Sequence, residues 1–374
     1  MIKVLHLRSS GGFLGAEKVV IELGSHLPAY DVEPIIGIPV DQQDVPELAE
    51  RASALNIRCQ LFPFDRPLSW SGMRAIRDFV RTEQIDVIHS HGYREDIYAY
   101  AMLDRHRIVA TNHLWKRTTA KLKFYAWLDA RVMRSFYALV AVSDPIYKEM
   151  QQLGFSDPQL RLIENGISVD EFSSAHDTDD KLKEELGLVG GDFVFGMVGS
   201  LTKEKGHIYA LQALAKVKEQ GLQAKLMIVG DGPERAGLEA YACDLGLEDC
   251  VIFVGRRKDI PRILQIFSVF VMPSLMEGLP MALLEAMASG LPVVATAVGD
   301  IPKLVNSEVG VLVPPADDSA LALAFSQMLS SAPLLHDMGL RSRCFIEREF
   351  SAQHMAGRYA DIYKEIVRHS RSDL

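Results

Sequence analysis

The first half of the chain alternates short apolar runs with longer amphipathic ones. Apolar runs at Ile2–Leu7, Pro34–Ile38, Arg58–Leu61, Val87–Ser90, Ile108–Thr111, Ala138–Val142 and Leu160–Ile163 have the length of buried strands. Between them, stretches such as Ala16–His26 and Gly72–Thr82 carry apolar residues at helical spacing. Near-continuous apolar strands separated by helices predict a parallel sheet covered on both faces. A second series follows, at Phe193–Val198, Ala224–Val229, Val251–Val254, Val269–Met272, Pro292–Ala295 and Gly310–Val313. Between the two, the chain turns polar and acidic, with HDTDD at 176–180, and this break predicts an interdomain linker at 173–191. The tail, Ser351–Arg368, reads as one more amphipathic helix. The fold expected is α/β, two doubly wound domains facing across a cleft, at 1–172 and 192–350. Ligands in such sheets bind beyond the carboxyl ends of the strands.

The densest stretch is Pro273–Pro302, one βαβ unit. Strand Val269–Met272 leads into a turn with Glu277 and Gly278, then Pro280 opens a helical run, Met281–Ser289. Proline suits that position because the first helical N–H groups lack partners anyway, and Gly290 suits a left-handed cap. Glu285 sits inside the helix among Leu283, Leu284, Ala286 and Met287, an apolar setting for an acid. At about 1.5 Å of rise per residue, Glu285 lies a turn or more beyond the helix mouth. The two acids therefore suit two hydroxyl-bearing parts of one extended ligand, with helix N–H groups holding negative charge between them.

Three further strand-to-helix turns can approach a phosphate. RSSGGFLGAEK places Gly11, Gly12 and Gly15 after the first strand, GSLTKEKGH places Lys203 and Lys205 at 199–207, and GDGPE lies at 230–234. None matches the G-x-G-x-x-G or Walker spacing. Taken singly each is an ordinary tight turn or a solvated lysine, but all three fall on one edge.

Composition narrows the function classes. With 374 residues, two domains are the natural expectation, and 48% apolar with 24% charged residues is globular. A formal charge of −9 argues against nucleic acid as a partner. Cys59, Cys243, Cys250 and Cys344 lack metal-type spacing, and reduced thiols are expected. The start of the chain lacks the apolar core and cleavage site of a signal peptide, and no run of about 18 apolar residues occurs, so a cytoplasmic place is expected. HSHGYRED at 89–96 ends a strand, and its alternate His89 and His91 lack a third ligand, so no metal site is expected. Residues 115–137 hold six lysines and arginines, one aspartate and several aromatics. Such a segment suits either a helix packed by its aromatics or a surface docked on anionic lipid.

These residues together resemble glycosyltransferase family 4. The most specific match is E-x7-E, Glu277 to Glu285, within PSLMEGLPMALLEAMASGLPVVAT. Lys205-Gly206, VGDGPE, FVGRRKDIP at 253–261, VGVLVPPAD at 309–317, GGFLGAEK, TNHLW, AVSD at 141–144 and IENGISVDEF at 163–172 support it, so the likeness spans nearly the whole chain. The resemblance implies the GT-B fold, with 351–374 packing back on the first domain, and transfer of a sugar from a nucleoside diphosphate (UDP or GDP) to an acceptor hydroxyl. It implies retention at the anomeric carbon and no required cofactor or metal. The acceptor would be a saccharide or a lipid-linked saccharide, as in cell-surface polysaccharide or glycolipid assembly, at the inner face of the cell membrane. By the same resemblance Glu285 holds the ribose, and Glu277 with the backbone of Gly278, Leu279 and Pro280 positions the sugar and phosphate. Lys205 meets the diphosphate, Gly12 and Gly230 belong to the glycine turns, and Arg256 and Ile260 flank the base. His113 stands near the transferred sugar, making Glu277, His113 and Lys205 the catalytic set, and His91, Tyr93 and Arg94 face the acceptor.

Two positions depart from the family pattern. Ser200 stands where many members have an arginine paired with the lysine, and a lost charge-assisted contact of that kind costs about 1.5–3 kcal/mol. Lys203 and Arg256 are the candidate cations to replace it. EGLP stands in place of the common EGFG. Two other classes fit the architecture, a sugar-nucleotide epimerase and a non-catalytic nucleotide-sugar binder. A dehydrogenase is disfavoured by the missing dinucleotide fingerprint.

Overall fold

The computed structural model describes the chain except for residues 10–14, 41–44, 65–68, 103, 114–119, 173–179 and 373–374. It divides into two compact units, Met1–Gly166 with Ala352–Leu374, and Ile167–Ser351.

The first unit is built on a seven-stranded parallel sheet. Its strands are β1 (Ile2–Leu7), β2 (Val32–Val40), β3 (Arg58–Pro63), β4 (Val87–Ser90), β5 (Ile108–Asn112), β6 (Ala138–Ala141) and β7 (Leu160–Leu162), in the order β3-β2-β1-β4-β5-β6-β7. The order reverses between β1 and β4, whose register pairs His6 with His89. β2 is longer than its apolar core suggested, because its flanking residues are held by β1 and β3 along the full strand. The helix Trp70–Thr82 begins where Ser69 accepts a hydrogen bond from the Gly72 N–H at 3.3 Å, a side-chain cap that satisfies one orphan donor. The last helix, Ala352–Ser372, packs on this unit and buries Tyr359, Tyr363 and Ile366 completely.

The second unit holds a six-stranded parallel sheet. Its strands are β8 (Val194–Val198), β9 (Lys225–Val229), β10 (Val251–Gly255), β11 (Val269–Met272), β12 (Val293–Thr296) and β13 (Gly310–Val313), in the order β10-β9-β8-β11-β12-β13. Here the reversal lies between β8 and β11. Phe195 stacks on Phe325 with ring centres 4.1 Å apart in the middle of this core.

The chain passes between units earlier than the acidic stretch. Ile167 is buried, donates its N–H to the Phe350 carbonyl at 2.9 Å, and bridges Ser351, so 167–172 belong to the second unit. Part of the expected linker is structured as well: Asp180–Glu185 is helical, and Leu182 and Leu188 are buried. Those leucines supply the apolar side that the charge run hid. The four cysteines are free, and among the described residues no helix is long and apolar enough to cross a membrane.

Candidate functional site

In the second unit, the loops after β8 and β11 meet at the point where the strand order reverses, the usual place for a ligand in an open α/β sheet. Two glycines permit the approach. Gly206 sits at φ +67°, and a Cβ there would stand 2.0 Å from the Pro273 carbonyl oxygen. Gly299, at φ +58°, is equally close packed, its would-be Cβ 2.3 Å from the carbonyl oxygen of Glu277. Both are left-handed positions where any side chain would be strained.

Glu277 is the centre of this loop cluster. Its Oε1 accepts from Lys205 Nζ at 2.6 Å and from Ser274 Oγ at 2.8 Å. Ser274 is itself held, because Thr296 Oγ1 donates to its carbonyl at 2.5 Å. Asp300 N–H donates to the Gly278 carbonyl at 3.0 Å, and Leu275 N–H to the Glu204 carbonyl at 2.7 Å. The side chain of Glu277 is 10% exposed and that of Lys205 28%, so the pair is shielded but reachable. Sequence placed these residues in separate motifs 72 positions apart, and the fold makes them one ion pair.

Just past Glu277, the helix Met281–Ala288 starts at Pro280 with no side-chain cap. The Leu283 N–H donates to the Pro280 carbonyl at 3.1 Å, which leaves the N–H groups of Met281 and Ala282 ahead of the helix's own ladder, and the dipole leaves positive potential there. Gly278 is half-buried, while Leu279 and Pro280 are buried. Glu285 is 3% exposed, deep among apolar neighbours, which matches the setting its sequence context implied.

Other predicted residues fall around this cluster. Ser200 is half-buried in the loop after β8, Ile260 opens a short helix, and Lys203 and Arg256 are exposed. Arg257, the next cation, is committed to Asp259 at 2.7 Å and Glu185 at 2.9 Å. Gly230 has a packing reason of its own: at φ +142°, a Cβ there would lie 1.8 Å from the Gly199 carbonyl oxygen. The glycine thus lets the turns after β8 and β9 touch. Sequence reasoning passed over His207, which follows Gly206, is buried, and lines a small pocket with Lys205 and Ser274. Burial, and then the Lys205 charge, lower its pKa to about 4, so it is neutral at pH 7.

The first unit gathers a second polar cluster, again at its strand reversal. Arg8, just past β1, donates from Nε to Glu17 at 2.8 Å and from a terminal nitrogen to the His91 carbonyl at 2.6 Å. Ser9 N–H donates to Glu95 at 2.9 Å. Gly12 lies outside the described residues. His113, directly after β5, is half-buried, and its Nε2 meets His91 Nδ1 at 3.2 Å. Burial of the ring and the Arg8 charge lower the His113 pKa to about 3.

The expectation that His91 faces an acceptor needs correction. Its ring is completely buried between His6 and His113, so it meets histidines and no solvent. Arg94 turns along its own helix, Nε donating to Tyr98 Oη at 3.2 Å, and Tyr93 is half-buried at the start of that helix. The expectation that His89 and His91 lack a third histidine also changes, because β1 brings His6 beside them, with ring nitrogens of all three within 4.8 Å. His89, however, already uses Nδ1 on Tyr363 Oη and Nε2 on Thr111 Oγ1, each at 2.7 Å.

In the basic aromatic segment, the helix Ala120–Met133 buries Ala126, Ala130 and Met133 against the first unit. Phe124 and Trp127 are 56% and 59% exposed and stack with ring centres 5.9 Å apart. Lys116 and Arg117 lie outside the described residues.

The family model described as Glycosyltransferase Family 4 matches residues 14–171, and that described as Glycosyl transferases group 1 matches residues 178–344. A UDP-Gal:alpha-D-GlcNAc-diphosphoundecaprenol alpha-1,3-galactosyltransferase of Escherichia coli is 26% identical, covering 98% of this chain and 97% of its own. Anabaena Alr3699/HepE, solved in complex with UDP and glucose, is 21% identical with a TM-score of 0.84 over 98% of this chain and 100% of its own. The same protein in complex with UDP-glucose gives a TM-score of 0.83 over 100% of both chains.

Proposed function

We propose that this chain, which belongs to glycosyltransferase family 4 and has the GT-B fold, moves a sugar from a nucleoside diphosphate to an acceptor hydroxyl with retention at the anomeric carbon. The observation that carries the donor assignment is the Lys205–Glu277 pair set before an uncapped helix N-terminus. A departing diphosphate gains negative charge as the anomeric C–O bond breaks. Lys205 and the first-turn N–H groups offer positive potential where that charge develops, which is the largest single lever in most such reactions. Glu277, held through Oε1 by Lys205 and Ser274, offers a positioned carboxylate to sugar hydroxyls, and Glu285 serves the ribose further along the helix. Lys203 and Arg256, both exposed, are the cations to supply what Ser200 does not.

UDP is the favoured nucleotide, since the Anabaena neighbour was solved with UDP-glucose and the E. coli relative is named for UDP-Gal. That relative's diphosphoundecaprenol substrate makes a lipid-linked saccharide the acceptor class to test first, in polysaccharide or glycolipid assembly. A panel of UDP-, GDP- and ADP-sugars should raise the melting temperature most with a UDP-sugar. Proton NMR of the product should then show the donor's anomeric configuration retained. An inverted product would remove the retaining mechanism, and no turnover across donors and acceptors would leave a binding protein.

A lipid-linked acceptor fits a surface of the first unit that docks on anionic membrane. The exposed Phe124–Trp127 stack lies on the helix Ala120–Met133, whose sequence includes Lys121 and Lys123 and is preceded by Lys116 and Arg117, a combination of apolar anchor and positive charge suited to acidic lipid. Sedimentation with phosphatidylglycerol vesicles should recover the protein, and a Phe124→Ser/Trp127→Ser variant should stay in the supernatant. Equal recovery of both would remove the membrane contact.

A further inference from the structure

Behind His113 stands a line of imidazoles that the donor site does not use. His6 Nδ1 lies 3.2 Å from His91 Nε2, and His91 Nδ1 lies 3.2 Å from His113 Nε2. The rings run edge to edge: His6 and His91 are 5.4 Å apart at their centres and inclined by 22°, His91 and His113 5.5 Å apart and inclined by 27°. In-plane nitrogens joined by hydrogen bonds give such separations. His89, in contrast, lies against the face of His91 at 3.9 Å.

A neutral imidazole carries one N–H and one bare nitrogen, so a chain of three can point its protons in only one direction at a time. Burial keeps all three neutral: His6 and His113 are lowered to about 3 and His91 well below its ordinary value. If the protons pointed from His113 toward His6, the last one would sit on His6 Nε2. That atom is buried and has no hydrogen-bond partner among the described residues. If they point toward His113, His6 Nε2 is a bare acceptor instead. An orphaned buried N–H is rarer than an under-used acceptor, so the chain runs toward His113.

We propose that His6 and His91 are positioning residues that fix His113 as the Nδ1–H tautomer, its Nε2 filled by His91 and its Nδ1 offering a proton to a sugar hydroxyl oxygen. His113 then orients substrate as a hydrogen-bond donor and does not serve as a base at Nδ1. The bearing on catalysis rests on His113 standing near the transferred sugar, but the tautomer does not. A metal held by His6, His89 and His91 is the competing use of the same rings. It would have to displace Tyr363 or Thr111 from His89, which now satisfies both its nitrogens.

The test is long-range nitrogen–proton NMR on the full chain with labelled histidine, assigned through single-histidine variants. In wild type, His113 should show a protonated Nδ1 and a bare Nε2. Asparagine can supply a donor where His6 uses Nδ1, whereas leucine cannot. His6→Asn should therefore retain the tautomer and turnover, while His6→Leu should give a mixed His113 tautomer and a kcat lower by roughly tenfold. A proton on His113 Nε2 in wild type overturns the proposal, as does a His6→Leu variant with unchanged tautomer and kcat. Stoichiometric zinc that shifts the His6, His89 and His91 signals together would replace it with the metal site. Should His6→Leu fail to fold, the wild-type tautomer still decides. The spectra need no substrate, so a wrong donor assignment would leave this result intact.

Discussion

A Glu277→Ala variant is expected to lose about 10²–10³-fold in kcat while its KM for the donor stays level or falls. The sign of the KM effect follows from the ion pair. In the resting structure Lys205 is bound to Glu277 at 2.6 Å, so a diphosphate arriving there meets a lysine already partly neutralised. Removing Glu277 frees that charge for the phosphate and removes a like charge beside it, which favours ground-state binding. What is lost is a carboxylate positioned by both Lys205 and Ser274 to hold the sugar as the bond breaks. Lys205→Ala should do the reverse, weakening the donor most. Initial-rate kinetics on both variants separate the two roles, and parallel changes in kcat and KM for both would show that the pair acts only as a structural clasp.

The second large effect is acid instability concentrated in the first unit, since the second holds one such histidine, His207. His6, His89 and His91 are fully buried, and burial holds each below its ordinary pKa, His6 at about 3. In the unfolded chain they take up protons near pH 6.5; in the folded unit they do not. The unfolded state therefore binds more protons below that pH, and stability falls as pH drops from about 6.5 toward the folded values. One such group contributes about 1.4 kcal/mol per pH unit, and three give on the order of 4. Asp96 acts in the opposite sense, its pKa raised by burial and then by Asp129, but it is one group against these three and His113, which is also lowered to about 3. Against a domain stability of about 5–15 kcal/mol, unfolding between about pH 6 and 4 is expected. Trp70, Trp115 and Trp127 all belong to the first unit, so tryptophan fluorescence reports it selectively. Urea midpoints that are the same at pH 7.5 and pH 5 would contradict this.

Much of the architecture was legible because parallel strands buried on both faces leave continuous apolar runs. β4, β11 and β13 fall where those runs place them, and the uncapped helix after Pro280 begins where the proline marks it. The unit boundary was harder to read. Acidic composition at 173–191 concealed Leu182 and Leu188, and no local pattern announces that Ile167 will bridge Ser351. Residue types at the donor cluster could be read singly, but the Lys205–Glu277 contact depends on left-handed Gly206 bringing two distant loops together. His6 was missed for a related reason. On β1 it looks like one polar residue in an apolar strand, and only the β1–β4 register sets it beside His89 and His91.

Titration calorimetry of UDP into wild type and Lys205→Ala tests the diphosphate site most directly. Saturable binding to wild type is expected, with affinity about 10- to 100-fold weaker for the variant, the worth of one charge-assisted phosphate contact. UDP that binds both proteins equally, or neither, would contradict a diphosphate held at the Lys205–Glu277 pair.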